Sequence, residues 1–363
     1  MKVGILTYYG VHNHGALLQA NALKSVLEAQ GVEVEFLKFQ RNYDYIPVGL
    51  EKKYQFGIKS IPFFIKYMFK KGIGNIFYNF RKNRTLNIFR RTLPINVRYS
   101  DYNGDAVVIG SDEVFSFEVG INPFFFGHGI CVKNIFSYAG CFGPTKLDFL
   151  KERNLEDLVS SGLKTMSHIG VRDKNSKEIA DTYINEKAVL VCDPVILYGY
   201  QKEILEFTPK KKNYILIYSY DKNMNESFEV EKIKEYARKK NVKIFSVGYY
   251  HKWCDKNINA SPIELLGWVK NAAMVITDTF HGSVLSLICN TQFTVKLRGN
   301  ENKLKFLLEE YDLTSRILQD FTELEKMDNL KIDFCIVNDK IKLKRENSLA
   351  FLKEALLLEG NHD

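Results

Sequence analysis

Strand-length apolar runs alternate with helix-length amphipathic stretches from Val3 to about Tyr311, and nearly every run ends in a short polar or Gly-containing turn. A chain written this way folds as a parallel sheet with helical crossovers, because consecutive parallel strands need a long connection between them. Val3–Tyr9 reads as a strand, Gly10–Gly15 as a loop, Ala16–Gln30 as a helix closed by Gly31, and Val32–Phe39 as a second strand. Ala106–Gly110 and Asn134–Ala139 are strands ending in GSDEVF and AGCFG. Asp148–Gly162 looks helical, Met166–Arg172 is a strand, Lys174–Tyr183 a helix, and Ala188–Cys192 a strand that stops at Asp193-Pro194.

A second set follows a Gly/Tyr/Lys-rich connection at about 198–213. Tyr214–Tyr220, Val242–Gly248, Met274–Asp278 and Gln292–Leu297 read as strands. Ser227–Lys240, the stretch from Ser261 to Asn271, Gly282–Asn290, Lys303–Tyr311 and Asn347–Leu358 read as helices. Ser261-Pro262-Ile263-Glu264 has the pattern of a capping box with Pro at the first helical position. The expectation is an α/β chain of two doubly wound domains facing a cleft. The first spans 1–197, with an insertion at about 41–100, and the second spans 212–340. A C-terminal helix in 341–363 packs back across them. At 363 residues, two domains also fit the usual domain size. Ligands of such sheets sit beyond the carboxyl ends of the strands.

The insertion breaks the rhythm. Ile61–Phe69 and Ile73–Phe89 set Ile, Phe, Tyr and Met among Lys and Arg every three or four positions, a basic amphipathic helical pattern split near Gly72–Gly74. From Lys52 to Arg91 there are eleven basic residues and no acid, more than the whole net charge of +8, so the remainder of the chain is mildly acidic. This local excess calls for an anionic partner. Nucleic acid is disfavoured, because no helix-turn-helix, finger or RNP pattern accompanies it.

No apolar run reaches the roughly 18 residues that span a bilayer. The chain reads straight into a strand, so no cleaved signal peptide is expected. Six scattered cysteines without a CxxC pair read as reduced cytoplasmic thiols, and no metal site is expected. GxGxxG, GxSxG, P-loop, HExxH and EF-hand patterns are absent, which removes those chemistries.

Chemistry concentrates at strand ends. In MVITDTFHGSVLSLICN, residues 274–290, a buried strand ends at Asp278 and Thr279 is placed to cap the next helix. Gly282 and Ser283 fall in its first turn, where unpaired amides suit phosphate or carboxylate, and His281 sets an imidazole beside them. The alternative is that His281 caps or packs locally. Arg172, after a strand, is placed either to grip an anion in two-pronged fashion or to pair with Asp173 or a neighbour. Arg298, after VKL, carries the same two readings. Asn13 and Gly15 suit a backbone approaching a ligand, or a simple turn. Asp112, in Gly110-Ser111-Asp112, is a base, a hydroxyl ligand or a helix cap.

Together these segments resemble the polysaccharide pyruvyl transferase family, in order and from residue 3 to about 313. GILTYYGVHNHGALLQANAL, VVIGSDEVF, FSYAGCFG, IGVRDKNSKEI, VCDPVIL and TDTFHGSVLSLICN each look like one of its blocks. The chain departs at His14, where Tyr is usual, and at Glu113, Phe115 and Ser116. The resemblance implies two Rossmann-like domains similar to glycosyltransferases of the B type. It implies transfer from phosphoenolpyruvate to two sugar hydroxyls, giving a cyclic ketal and phosphate. Phosphoenolpyruvate is a substrate, so no cofactor is implied. In this reading Arg172, Arg298, Gly282, Ser283, Asn13 and Gly15 hold the donor. His281 is the general acid, and Asp112 or Asp278 takes a hydroxyl proton. The acceptor is an oligosaccharide on polyprenyl diphosphate, and the basic stretch Lys52–Arg91 brings a cytoplasmic enzyme to the anionic inner face of the membrane. A nucleotide-sugar glycosyltransferase of the same architecture is the rival reading.

Overall fold

The computed structural model describes residues 1–40, 72–118, 120–185, 187–298 and 301–357. The expected Ile61–Phe69 helix and the Lys52–Lys71 part of the basic stretch lie outside them. The first sheet contains β1 (Lys2–Leu6), β2 (Glu33–Lys38), β3 (Ile95–Arg98), β4 (Ala106–Ile109), β5 (Asn134–Gly140), β6 (His168–Val171) and β7 (Val189–Leu190). Its order is β3-β2-β1-β4-β5-β6-β7, and every pairing is parallel. The second sheet contains β8 (Ile215–Tyr218), β9 (Ile244–Val247), β10 (Lys256–Ile258), β11 (Met274–Thr277) and β12 (Phe293–Val295). It runs β10-β9-β8-β11-β12, again parallel throughout.

Both sheets therefore reverse strand order once, between β1 and β4 and between β8 and β11. That reversal splays the two following crossovers to opposite faces and leaves a crevice at the strand ends. The central strands are covered on both faces: β4 and β11 are buried along their whole length. This is why they read as continuous apolar runs rather than alternating ones.

The helices start where their caps dictate. Asn13 Oδ1 accepts from Gly15 N at 2.9 Å and opens helix His14–Glu28. Ser261 and Glu264 form the expected reciprocal capping box on helix Pro262–Lys270. Thr279 caps helix Phe280–Ile288, its Oγ1 accepting from Gly282 N at 2.9 Å. The stretch expected as one helix over 148–162 is two, Leu147–Glu152 and Glu156–Leu163.

Two helices tie the domains together. Helix Ile73–Arg90 holds the first domain through Arg90, whose Nε and Nη2 donate to the carbonyls of Tyr9 (2.8 Å) and Val11 (3.1 Å). It holds the second domain through Tyr78 Oη, which donates to Ile258 O at 2.9 Å, and through Thr85, which accepts from Asn259 at 2.8 Å. Helix Phe334–Leu357 returns to the first domain. Its Ser348 accepts from Cys192 N, and its Ala355 carbonyl accepts from Asn134, each at 2.9 Å.

Candidate active site

Four strand ends converge on one cluster. Beyond β4 the chain turns through Gly110 and Ser111 into Asp112, whose φ of 77° lies in the left-handed region that Asp tolerates better than most side chains. The Asp112 carbonyl accepts from Cys141 N at 3.0 Å, which fixes this turn to the end of β5. Arg172 follows β6, and Asp193 follows β7 and caps helix Pro194–Tyr198. His281 comes from the second domain, in the first turn after β11.

Arg172 is almost wholly buried. Its Nη1 donates to Asp193 Oδ2 at 3.0 Å, its Nη2 lies 3.5 Å from Asp112 Oδ1, and its Cζ sits 4.3 Å from the centre of the Phe280 ring. Asp173, the alternative partner for Arg172, instead caps its own helix by accepting from Ser176 N. Gln19 donates to the same oxygen of Asp193. Arg172 Nε and Nη2, and His281 Nε2, are buried and have no hydrogen-bond partner. Buried polar atoms in native proteins are nearly always paired, so these orphans on two facing domains make this cluster the candidate ligand site.

The electrostatics agree. Burial would push the Asp112 carboxyl up, but His281 when protonated, with the charges of Arg172 and Lys303, outweighs it and holds it below the usual range. Burial pushes the His281 imidazole below its usual value, against the pull of Asp112 and Asp193. The resting imidazole is therefore neutral near pH 7, and an arriving anion would favour its protonation.

Lys303 was not anticipated from sequence. It reaches from helix Glu301–Glu310 to pair with Glu113 of the first domain, and its ammonium lies 5.8 Å from the Phe280 ring centre. Burial works against its charge, but Glu113 and the other acids win and raise its pKa. No motif surrounds Lys303. The only available signal was the acid at position 113, which now has a physical partner.

Other expected donor ligands have different work. Gly282 N donates to Thr279 Oγ1, and Ser283 N donates to the Thr279 carbonyl at 3.3 Å, so neither amide is free for an anion. Ser283 Oγ also turns back to that carbonyl. Gly282 is needed because a β-carbon there would meet Thr277 Oγ1 at 2.1 Å. Asn13 uses its side-chain oxygen as a cap. Gly15 faces His281 rather than open space. Arg298 pairs with Glu229, and its Nε lies 3.2 Å from Asp278 Oδ2 without a hydrogen bond. Asp278 accepts from Ser219 and Asn223, each at 2.8 Å, and burial raises its pKa. Among the described residues no cluster of potential metal ligands occurs.

Two facing Rossmann-like domains with a cluster at both strand-order reversals define the B-type glycosyltransferase architecture. Solved structures share it. UDP-GlcNAc 2-epimerase from Methanocaldococcus jannaschii, in complex with UDP-GlcNAc and UDP, is 12% identical with a TM-score of 0.51, over 94% of this chain and 99% of that one. Arabidopsis thaliana UGT89C1, complexed with UDP-L-rhamnose, is 9% identical with a TM-score of 0.51, over 97% of each chain. A putative UDP-N-acetylglucosamine 2-epimerase from Listeria monocytogenes is 10% identical with a TM-score of 0.51, over 100% of this chain and 97% of that one. At such identities the likeness is one of fold. No curated protein sequence matches the chain. The family model of polysaccharide pyruvyl transferase matches residues 13–300, and the chain belongs to that family. It is accordingly a transferase, and Asn13, Asp112, Arg172, His281 and Arg298 all fall within the matched span.

Proposed function

We propose that the cleft takes phosphoenolpyruvate and builds a cyclic pyruvate ketal on two hydroxyls of a sugar in a capsular or exopolysaccharide repeat unit. The observation that carries this is the buried Nε and Nη2 of Arg172, neither of them hydrogen-bonded and Nη2 only ion-paired with Asp112, beside the buried His281 Nε2 without a hydrogen bond. A small, densely charged anion supplies acceptors for the guanidinium in two-pronged fashion. Its charge raises the imidazole pKa until His281 can act as an acid. The donor methylene carbon gains a proton, its neighbour becomes oxocarbenium-like, and one sugar hydroxyl adds there. Departure of phosphate opens the carbon to the second hydroxyl. The two hydroxyl protons end on the new methyl group and on phosphate. In this reading Asp112, held ionised by its cationic neighbours, relays one of them.

The acceptor in this reading is an oligosaccharide carried on polyprenyl diphosphate. Helix Ile73–Arg90 supports approach to an anionic membrane. Ile73 (86% exposed), Phe77 (61%), Phe80 (69%) and Ile88 (60%) recur at helical spacing on its outer face. Arg81, Arg84 and the adjacent Arg91 are exposed along the same stripe. Such a face suits an anionic headgroup layer. No helix among the described residues is long and apolar enough to cross a membrane.

Calorimetric titration of phosphoenolpyruvate, beside UDP and GDP sugars, into wild type and Arg172→Ala tests the donor. Binding of phosphoenolpyruvate that disappears in the variant is expected. Binding of a nucleotide sugar instead would replace pyruvyl transfer with glycosyl transfer.

A further inference from the structure

Lys82 projects from the inner face of helix Ile73–Arg90 and is only 5% exposed. Its ammonium lies 4.3 Å from the centre of the Tyr249 ring, just past the end of β9. Among the described residues no carboxylate comes within ion-pair distance of it. Among the described residues the one acid whose charge acts on it is Asp221, in the loop after β8, and burial brings the Lys82 pKa down to about 8. A ring face offsets only part of the cost of burying an ammonium. Two imidazoles and one further cation lie within reach of its field, and that field helps keep both imidazoles neutral. His12 feels both Arg90 and Lys82, and His14 feels Lys82. Arg90 fastens the loop carbonyls of Tyr9 and Val11 and adds its charge without a carboxylate partner among the described residues.

Two further facts place this cluster on the cleft. Asp221 and Tyr249 follow the carboxyl ends of β8 and β9, and His12 and Arg90 lie at the loop after β1. The Tyr249 ring is 5.2 Å from that of Tyr220, which in turn feels Lys303 and Asp112. Tyr249 and Tyr220 thus stand between the Lys82 cluster and the Arg172 cluster.

We infer that Lys82, with His12 and the field of Arg90, forms a second anion subsite that takes a phosphate or diphosphate ester while the donor occupies the Arg172 side. An incoming diphosphate supplies the negative charge that the buried ammonium lacks, and its ester substituent lies toward the sugar to be modified. This rests on the reading of the acceptor as diphosphate-linked, but the site is open to test without any turnover.

The test titrates inorganic pyrophosphate and farnesyl diphosphate into the full chain, as wild type, Lys82→Met, Lys82→Arg and Arg172→Ala. Wild type should bind both, and Lys82→Met should weaken both by about tenfold or more. Lys82→Arg keeps the charge and should bind within a few fold of wild type. Arg172→Ala should bind pyrophosphate as wild type does, and saturating phosphoenolpyruvate should not displace it. Tighter farnesyl diphosphate than pyrophosphate assigns the subsite to a lipid-linked acceptor, and equal binding assigns it to the diphosphate alone; both support the subsite. Pyrophosphate binding unchanged in a folded Lys82→Met protein overturns the inference. So does displacement by phosphoenolpyruvate with loss in Arg172→Ala. Absence of phosphoenolpyruvate binding would overturn the donor reading alone.

Discussion

His281 packs against the backbone of Gly15 so closely that a β-carbon on residue 15 would stand 2.1 Å from its Cγ and 2.5 Å from its Nδ1. One domain's imidazole thus rests in a notch that the other domain leaves by lacking a side chain. Gly15→Ala is compatible with the helical backbone there, so its penalty falls on the ring. We expect turnover to fall about a hundredfold or more, since a misplacement near 1 Å carries that cost, while circular dichroism and the melting temperature change little. Wild-type turnover in Gly15→Ala would show that the imidazole position does not matter.

His281→Ala should lower turnover by about 10²–10⁴, the range for removing a general acid. The donor should still bind through Arg172. A folded variant that retains ketal formation would take His281 out of the acid role.

Arg172→Lys separates charge from geometry. Lys keeps a positive group for Asp193 and Asp112 but lacks the planar fork. Donor affinity should drop at least tenfold, with stability near wild type. Arg172→Ala should also unfold at lower denaturant, by about 3–5 kcal/mol, because it strands buried carboxylates. Equal donor affinity in Arg172→Lys and wild type would make Arg172 a structural ion-pair residue.

His14 weakens the fold on the acid side. Its Nε2 donates to the Ala260 carbonyl at 2.9 Å, and burial, with help from Lys82, lowers its pKa to about 3. The folded pKa lies below the unfolded 6.5, so protons favour the unfolded chain between those values. The contribution of His14 is therefore full above about pH 6.5 and falls by about 1.4 kcal/mol per pH unit below it. His14→Gln, whose amide can also donate to Ala260, should lose about 2 kcal/mol less than wild type between pH 7 and pH 5. Parallel urea-unfolding curves for the two proteins at both pH values would refute this.

Phe77→Ser with Phe80→Ser should abolish co-sedimentation with anionic vesicles, and raising the salt should weaken wild-type binding. Activity on a soluble acceptor should stay unchanged. Failure of wild type to bind such vesicles at low salt would remove the membrane from the reading.

The alternation of strands and helices was legible because the central strands are buried on both faces and leave unbroken apolar runs. That Asp112, Arg172 and His281 gather at strand ends was legible because each follows such a run, where a parallel sheet presents its residues to a cleft. β3 and β10 were missed: both are short edge strands with half-exposed residues, so burial imprints little pattern on them. Lys303 was missed because a lysine on a helix looks like solvent-facing charge until the other domain brings Glu113 to it. Gly282, Ser283 and Asn13 were misjudged in the opposite direction. Their first-turn amides and cap looked available, but local hydrogen bonds had already claimed them.

The return of helix Phe334–Leu357 to the first domain has a mechanical consequence. The chain passes from one domain to the other after β7 and passes back before this helix, so the bodies are joined covalently at two places. A single tether would let them swivel and separate in any direction. Two tethers leave rotation about the line through them as the easy motion, and that rotation changes the gap between Arg172 and His281.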